Sequence, residues 1–534
     1  MVKPESSEGG NSEKSALFTV RLIKILMIGA KEQSRITAFR RSWLMWLGPL
    51  PALSAATALA VVSGGQIFRG LLLGGALWIM SLPLLSSLEA GMVAMMIFEP
   101  LRGFLRRAQF IVVEYTTTDP IHMVTPLLTI LAFTILLWKR REQLFVTKPL
   151  GTPISIMAMC FLVQIFNPFQ GGLFVGFSGA LFILIPLAWF YFGRVMRPDL
   201  MQTALRIIVA MGLIGSLHGL YQIMVGYPEF EKYWIKNTDH YESIAVAHVT
   251  RAIATFNSAE EWGRYVQFGA LIAFGFAFGS KQIARRCAWV CAGLALCGVL
   301  VISGQRSSIF GLLFGLVIFI LVGSRNWGVV IGRAAMLGTV VVIISLVAKP
   351  PSESDMWSKD KDDKLGTMLS HTARGTLQPT KEGSMEARYD IWTMLLTKVI
   401  PSHPLGTGLG AGTVSAARYA SVEQSLYPID SFIAVLLVGC SLPVALLFLW
   451  ILIRAAMISV RIFRQAPSET SNAITRRIVV AIIFMLILNS AFGLTFSIYS
   501  CAPIGWMVIG WVCAETARDE QELQEISSGN EAVG

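Results

Sequence analysis

Residues 430–453 read DSFIAVLLVGCSLPVALLFLWILI, and this stretch decides the fold class. After Asp430 it contains no charged residue, and as a helix it is long enough to cross the roughly 30 Å hydrocarbon core of a bilayer. With 54% hydrophobic and 14% charged residues and a mean hydropathy of +0.62, the chain lies outside the range of soluble domains. The sequence therefore predicts an all-α, polytopic helical membrane protein.

Apolar stretches of this kind recur along the chain and predict about 12–14 transmembrane helices. The longer predicted spans lie near 44–63, 121–138, 173–192, 201–224, 329–348 and 477–495, in addition to 430–453. Shorter or polar-interrupted spans lie near 152–166, 264–279, 287–303, 308–323 and 498–515.

The orientation follows from the Lys and Arg residues of the short connectors, because such residues stay on the cytoplasmic side. Connectors at 139–141, 281–286 and 454–477 are basic, which places those at 225–263, 303–307 and 349–429 on the extracytoplasmic side. The chain is therefore expected to cross the membrane many times, with its larger loops on the extracytoplasmic side.

The apolar run 70–98 has to cross the membrane twice to keep the orientation consistent, and we expect a break near Ser86-Ser87. The break leaves Arg102, Arg106 and Arg107 on the outer side, against the rule for basic residues. A helix lying on the membrane surface would explain them.

The pattern of spans predicts five regions. No secretory signal peptide is expected, because the first 16 residues are polar. The seven cysteines fall in or at the ends of apolar spans, so structural disulfides are not expected. The regions are a cytoplasmic N-terminal region with an amphipathic helix (1–43), N-terminal transmembrane helices (44–348), a large extracytoplasmic loop with short helices (349–429), C-terminal transmembrane helices (430–515) and a disordered, acidic cytoplasmic tail (516–534).

Three segments on the predicted outer side each contain an arginine, namely Arg251, Arg306 and Arg388. Arginine suits phosphate and diphosphate oxygens, because its planar guanidinium donates in pairs and stays charged at any working pH. The alternative is that these arginines bind lipid headgroups or a nearby carboxylate. Apolar residues around Arg388 recur at the spacing of a helix, which predicts that Arg388 lies on a helix along the membrane surface. These apolar residues are Met385, Tyr389, Trp392, Leu396 and Val399.

Asp430 places a carboxylate at the boundary of an apolar span. There it could accept a proton from a sugar hydroxyl, provided that partial burial raises its pKa towards neutrality. The alternative is a helix N-cap, for which aspartate is a preferred residue. The residues alone favour the cap, and both roles can hold together.

The glycine-rich stretch from His403 to Gly412 lacks the Lys-Ser or Lys-Thr of a nucleotide-binding loop. Its glycines permit tight turns where the backbone approaches a substrate or another helix. Gly406, Gly408 and the adjoining His403 are therefore candidate substrate contacts, although outer-loop histidines such as His371 and His403 are more often solvated. The six histidines show no metal-binding spacing, so no metal is expected.

Four features occur in an order that resembles the O-antigen polymerase and O-antigen ligase superfamily, over roughly residues 150–500. The resemblance implies a fold like that of C-type glycosyltransferases. It also implies metal-independent transfer from a polyprenyl-diphosphate-linked oligosaccharide, with no cofactor. The features are Arg251 followed by Phe256-Asn257, the turn Ser303–Ser308 with Arg306, the motif Arg388-Tyr389-Asp390-Ile391-Trp392, and HPLGTGLG (403–410) before a polar residue that opens the next span.

The resemblance implies that Arg251 and Arg306 hold the donor diphosphate. Asp430 stands where ligases of the superfamily have a catalytic histidine, and this difference favours a polymerase over a ligase. Ser431 also departs from the asparagine that is common in the motif. The remaining residues implied in substrate binding are Arg388, His403, Asn257, Gly406 and Gly408.

The predicted function is a polymerase that joins lipid-linked repeat units into an O-antigen or exopolysaccharide chain. The first alternative is a ligase that transfers the glycan to lipid A core or protein. A transporter or flippase is the second, although the spans contain few ionisable residues away from their ends. The expected partners are membrane lipid, a chain-length regulator and a flippase; nucleic acid is not expected, because most of the net charge of +11 lies beside the membrane.

Overall fold

The computed structural model describes residues 67–116, 119–144, 149–238, 245–246, 249–323, 328, 331, 364–377, 383–420, 429–465 and 471–531. The predicted amphipathic helix within 1–43, the predicted span 44–63 and nearly all of the predicted span 329–348 lie outside these residues.

The described residues form helices joined by short connections. The first ten are α1 (Ile67–Ser86), α2 (Leu88–Ala108), α3 (Val124–Leu144), α4 (Gly151–Gln164), α5 (Leu173–Ile183), α6 (Ala188–Val195), α7 (Pro198–Met224), α8 (Glu229–Asn237), α9 (Ala259–Gly279) and α10 (Ile283–Ile302). The others are α11 (Arg306–Val322), α12 (Lys364–Leu377), α13 (Gly383–Met394), α14 (Val414–Tyr419), α15 (Phe432–Cys440), α16 (Leu442–Gln465), α17 (Ser471–Ala491) and α18 (Ala502–Glu531).

Between α8 and α9, a two-residue strand β1 (Ala245–Val246) pairs antiparallel with β2 (Val249–Thr250). Among the described residues, seven helices are long and apolar enough to cross a membrane. The prediction of an all-α, polytopic membrane protein is thereby confirmed, and the total of 12–14 spans stays a prediction. The seven helices that are long and apolar enough to cross a membrane are Ile67–Ser86, Pro120–Lys139, Leu173–Val195, Pro198–Met224, Ile283–Ile302, Leu442–Arg464 and Asn472–Ala491.

The described part of the chain falls into two compact units, which divide between Gly91 and Met92. Within the first unit, α1 ends at Ser86 and α2 begins at Leu88, which is where the sequence predicts the break. Pro83 lies in the last turn of α1, where a proline removes a helical donor. Ser86 closes the turn, because its hydroxyl donates to the Pro83 carbonyl at 2.7 Å.

The arginines of α2 are buried within the second unit, so the expectation of a helix lying on the membrane surface is wrong. Each guanidinium has a carboxylate partner from its own helix or from a neighbouring segment, which reduces the cost of burying the charge. The pairs are Arg102 with Glu99 at 2.7 Å, Arg106 with Asp119 at 3.5 Å and Arg107 with Glu231 at 2.8 Å.

The second unit is built around α9, which packs against α7, α10, α11 and α17. Nearly all of its residues between Ala259 and Ala277 are buried. Ser258 caps its first turn by accepting the Glu261 N–H at 3.1 Å. Glycines let its neighbours approach closely, as at Gly275, where an added methyl group would lie 2.3 Å from Ile478.

The predicted span 430–453 is not one helix, because α15 ends at Cys440 and α16 begins at Leu442. Ser441 between them has a left-handed φ of +99°. The last carbonyls of α15 are occupied by another segment: Val438 accepts the Thr407 N–H at 2.8 Å and Gly439 accepts the Gly408 N–H at 3.0 Å. The membrane-crossing part of this stretch is therefore α16.

The acidic tail is helical as far as Glu531, which corrects the expectation of disorder. Ion pairs at the start of the predicted tail hold α18 against α17. Arg476 of α17 lies 2.8 Å from Glu515 and 2.7 Å from Asp519, and Arg518 also pairs with Glu515. These pairs join the acidic side chains at the start of the tail to arginines.

Candidate active site

Arg251 follows β2 in a loop, residues 251–257, that buried polar side chains hold in place. Gln222 accepts the Ala254 N–H at 2.7 Å, and Arg107 donates to the Ala254 carbonyl. Ala254 has a left-handed φ of +53°, which is uncommon for a residue other than glycine. These bonds fix the unusual backbone, so the position of Arg251 is set by the buried network.

Glu231 supplies the negative charge of this network from α8. Its carboxylate lies 2.8 Å from Arg107, accepts from Gln222 at 2.9 Å and lies 3.1 Å from His218. Burial of the carboxylate opposes its ionisation, but the His218 hydrogen bond and the charge of Arg107 outweigh it and lower the pKa of Glu231 below its usual range. The outer loop thus rests on a buried ion pair.

His371 of α12 contacts Arg251, with 3.1 Å between its Nε2 atom and Arg251 Nη2. The imidazole can accept this bond only through an unprotonated nitrogen. The expectation of a solvated His371 is wrong, since the residue is half-buried. A signal existed in the sequence, because His371 follows Thr367 by four residues and Met368 by three, so a helix brings it to the same face as both, and both are buried.

The turn Ser303–Ser308 packs against the same helix, α12. Thr372 donates to the Val301 carbonyl at 3.0 Å, and a methyl group at Gly304 would lie 3.7 Å from the His371 ring. Gly304 has a φ of +72°, so the turn uses a conformation that favours glycine. Arg306 is the first residue of α11 and is half-buried. α12 therefore contacts both Arg251 and the turn that contains Arg306.

Arg388 of α13 and Asp430 form an ion pair, with 3.5 Å between Nη2 and Oδ2. The structure confirms the predicted helix around Arg388, and it brings together two candidate residues that are distant in the sequence. Both side chains remain accessible, at 36% for Arg388 and 53% for Asp430. The partial burial that the sequence argument required of Asp430 is therefore slight.

Asp430 does not cap α15. The cap is Ser431, whose hydroxyl accepts the Ala434 N–H at 3.4 Å and donates to the Ser490 carbonyl at 3.3 Å. The alternative of an N-cap role for Asp430 is thus wrong by one residue. Its carboxylate is half-exposed and pairs with Arg388.

The glycine-rich segment, 403–412, packs against α4, α5 and the end of α15. The carbonyls of Leu405 and Gly406 accept from Gln164 at 2.6 Å and Asn167 at 3.0 Å. A methyl group at Gly408, where φ is +114°, would lie 2.6 Å from the Gln170 side chain. The glycines therefore permit close packing against helices, and contact of Gly406 or Gly408 with a substrate stays a prediction.

The two remaining candidates also have protein contacts. His403 packs edge to face on Phe169, with ring centroids 4.9 Å apart, and its Nδ1 lies 3.0 Å from Ser402 Oγ. Asn257 donates its side-chain N–H to Glu261 at 3.0 Å and so helps to hold the start of α9. For both residues, substrate binding stays a prediction.

The contacts assemble two sets of charged groups. Arg251 and the Arg306 turn, both under α12, supply fixed positive charge for an anion with several oxygens. Asp430 with Arg388 supplies an accessible carboxylate that can accept a hydrogen bond or a proton. The first set has the chemistry to bind a diphosphate, and the second has the chemistry to accept a proton from a hydroxyl.

A comparison with protein-family models matches residues 290–434 to the family described as O-antigen ligase. The matched segment contains Arg306, His371, Arg388 and Asp430, whereas Arg251 precedes it. No curated protein matches the chain. The apolar helices indicate a multi-pass membrane protein, and the match supports an O-antigen ligase/polymerase-like family. Members of that family are glycosyltransferase-like enzymes.

Proposed function

We propose that the protein is a glycan polymerase that joins polyprenyl-diphosphate-linked oligosaccharide repeat units into an O-antigen or exopolysaccharide chain. The reaction would take place at the outer face of the bacterial inner membrane, with a chain-length regulator and a flippase as partner proteins. The key observation is the position of His371, which contacts Arg251 at 3.1 Å and lies beside Gly304 of the Arg306 turn. One side chain thus joins the two segments with the candidate diphosphate ligands.

Arg251 and Arg306 would bind the diphosphate of the donor lipid. Arg306 is also the first residue of α11, so the dipole of the helix start adds to the positive potential at this place. As the bond between the anomeric carbon and the diphosphate oxygen breaks, both electrons leave with the polyprenyl diphosphate. Fixed guanidinium groups stabilise the charge that develops on this leaving group.

Asp430 would act on the acceptor. The acceptor hydroxyl oxygen forms the new bond to the anomeric carbon, and its proton passes to the Asp430 carboxylate. Arg388, 3.5 Å away, would orient that carboxylate. The base role therefore rests on position and accessibility, because the carboxylate is half-exposed and does not cap α15.

The matched family description favours a second candidate, an O-antigen ligase that transfers a glycan to lipid A core or to protein. Both candidates use the same donor chemistry and differ in the acceptor. Incubating the purified protein with lipid-linked repeat units alone separates them: a polymerase lengthens the product, whereas a ligase leaves the units unjoined until lipid A core or an acceptor protein is added.

The direct test is Arg306→Ala in the full-length protein, reconstituted in vesicles with a polyprenyl-diphosphate-linked oligosaccharide. Removing one donor from a site of this kind costs about 10²–10³-fold in turnover. Arg285→Ala is the matched control, since Arg285 is an exposed arginine in the first turn of α10, at the end that is predicted to be cytoplasmic. Full activity of Arg306→Ala at normal abundance would overturn the proposal.

A further inference from the structure

Arg264 of α9 is a buried arginine that no part of the proposed reaction uses. Its side chain is only 1% exposed, and it reaches three separate segments of the protein. We propose that Arg264 is a positioning residue that fixes the Arg306 turn relative to Asp430. The inference rests on the proposed function, since it concerns two groups that would act on the same reaction.

On one side, Arg264 contacts the turn that contains Arg306. Its Nη2 donates to Ser307 Oγ at 3.2 Å, directly after Arg306 in the chain. The turn also packs on α9, because a methyl group at Gly263 would lie 2.7 Å from the Gln305 side chain. The Arg306 turn is therefore anchored to α9 by a hydrogen bond and by close packing.

On the other side, Arg264 binds the chain just after α17. Nη2 also donates to the Phe492 carbonyl at 3.0 Å, and Nη1 lies 3.4 Å from Thr495 Oγ1. Glu260, one helical turn earlier, balances the charge at 2.9 Å and also accepts the Leu494 N–H at 3.4 Å. A buried guanidinium with this many partners has one fixed orientation.

The segment that Arg264 holds is the one against which Asp430 is placed. Ser431 donates to the Ser490 carbonyl at 3.3 Å, and the Phe432 N–H donates to the Gly493 carbonyl at 3.0 Å. The two residues that follow Asp430 are therefore bonded to residues 490–493. Hydrogen bonds therefore link the Arg306 turn through Arg264 to Phe492, and its neighbour Gly493 is hydrogen-bonded to the start of α15.

A second polar contact one turn deeper strengthens the same junction. Gln267 of α9 exchanges hydrogen bonds with Asn489 of α17, at 3.3 and 3.1 Å. A methyl group at Gly311 of α11 would lie 2.0 Å from the Gln267 amide, so α11 also meets this pair. Polar contacts between apolar helices hold them in one relative position. We call Arg264, Gln267 and Asn489 the polar seam.

The reaction needs this precision, because the leaving group and the attacking hydroxyl act on opposite sides of one anomeric carbon. The Arg306 turn would hold the first, and Asp430 would act on the second. A displacement of about 1 Å between such groups can cost on the order of 10²-fold in rate. Arg264 would therefore influence turnover without touching the substrate.

Two variants test this inference by different routes. Arg264→Lys keeps the charge but loses the forked geometry that reaches Ser307 and Phe492 together. Gly493→Ala keeps the arginine but displaces it, because the added methyl group would lie 1.5 Å from its Nη2. Arg476→Lys is the matched control, since Arg476 is also buried and ion-paired but lies in the contact between α17 and α18.

Both test variants should lower kcat by about 10–100-fold, with a smaller change in KM for the lipid-linked donor. Ser307→Ala added to Arg264→Lys should give little further loss, because Arg264 would act through Ser307. Unchanged kcat in Arg264→Lys, or losses that multiply in the double variant, would overturn the inference. Absence of glycosidic bond formation by the wild type would instead refute the proposed function, and this positioning role with it.

Hydrogen–deuterium exchange provides a measurement that is independent of activity. In Arg264→Lys, the amides of residues 307–309 and of residues 432–434 should both exchange faster than in the wild type. In Arg476→Lys, those two segments should remain protected. Faster exchange at only one segment, or across the whole molecule, would show that Arg264 supports stability without linking the two groups.

Discussion

At the scale of single residues, the role of Asp430 depends on the residue next to it. Aspartate and serine are both good N-caps, and Ser431 occupies that position in α15. The Asp430 carboxylate is consequently unused by the helix and faces Arg388 at 3.5 Å. A boundary carboxylate that the fold does not need is a reasonable candidate for chemistry.

Asp430→Asn tests this assignment. The amide keeps the shape of the side chain but cannot accept a proton, so turnover should fall by about 10²–10⁴-fold while the protein stays folded. The measurement is glycan synthesis by purified protein at saturating donor. Asp390→Asn, at an exposed aspartate of α13, is the control and should retain activity. An active Asp430→Asn variant would exclude this carboxylate as the base.

At the scale of elements, the positions of the outer loops are set by buried contacts. The loop 251–257 is held by Arg107 and Gln222, and the glycine-rich segment replaces the helical continuation of α15. In both places a non-helical backbone is tolerated because other protein groups satisfy its hydrogen bonds. The loops that present candidate residues are therefore rigid parts of the bundle.

Gly408→Ala should destabilise the protein, because φ at this position is +114° and the methyl group would lie 2.6 Å from Gln170. The left-handed backbone alone costs about 1–2 kcal/mol for a residue with a Cβ atom. The measurement is thermal unfolding in detergent. Gly298→Ala in α10 is the control, since a methyl group there meets nothing within 4 Å. A Gly408→Ala variant as stable as Gly298→Ala would contradict the packing role.

Glu231→Gln should destabilise the loop support by about 3–5 kcal/mol, since it leaves the buried Arg107 without its carboxylate. The lowered pKa of Glu231 in the folded protein sets the pH dependence of stability. The stability that the charged carboxylate contributes is fully present above the usual glutamate pKa of 4.5, and it is lost as the pH falls through the lower pKa of the folded state. Thermal unfolding measured across this range should therefore show wild type and variant converging only at acidic pH.

Glu229→Gln is the control for this comparison, because Glu229 lies on the same helix and its side chain is 87% exposed. Its surface ion pair with Lys232 should contribute about 0–1 kcal/mol. A difference between wild type and Glu231→Gln that persists unchanged in acid would show that the carboxylate does not act as the charged partner of Arg107.

At the scale of the whole molecule, α9 organises the second unit. It contacts four helices, and its polar residues Arg264 and Gln267 meet the start of α11 and the end of α17. Polar side chains inside an apolar bundle are costly unless they are hydrogen-bonded, and here each has partners on a neighbouring segment: Arg264 bonds Ser307 and Phe492, and Gln267 bonds Asn489. The candidate site is therefore built on the most buried part of the fold.

The predicted orientation can be tested by cysteine labelling in a variant without the seven native cysteines. Tyr389→Cys should react with a membrane-impermeant maleimide from the outside, because Tyr389 is 73% exposed and lies beside Arg388. Arg285→Cys, also at an exposed position, should react only after the inner membrane is opened. The reverse pattern would place the candidate site on the cytoplasmic side.

The sequence predicted the helix class, several span positions, the break near Ser86 and the helix around Arg388, because these depend on local hydrophobicity and turn chemistry. It failed where a distant segment intervenes. The break at Ser441 requires the glycine-rich segment to occupy the carbonyls of α15, and burial of Arg106 and Arg107 requires Asp119 and Glu231, which the orientation argument does not include.

By itself, the sequence determined that the chain is a multi-pass helical protein and which residue types are available for phosphate and proton chemistry, since hydrophobicity and charge are properties of each residue. Only the tertiary structure decided which of them meet: Arg251 with His371, Arg388 with Asp430, and the Arg306 turn with Arg264. The physical reason is that these contacts join segments far apart in the chain, and helix packing alone sets their distances.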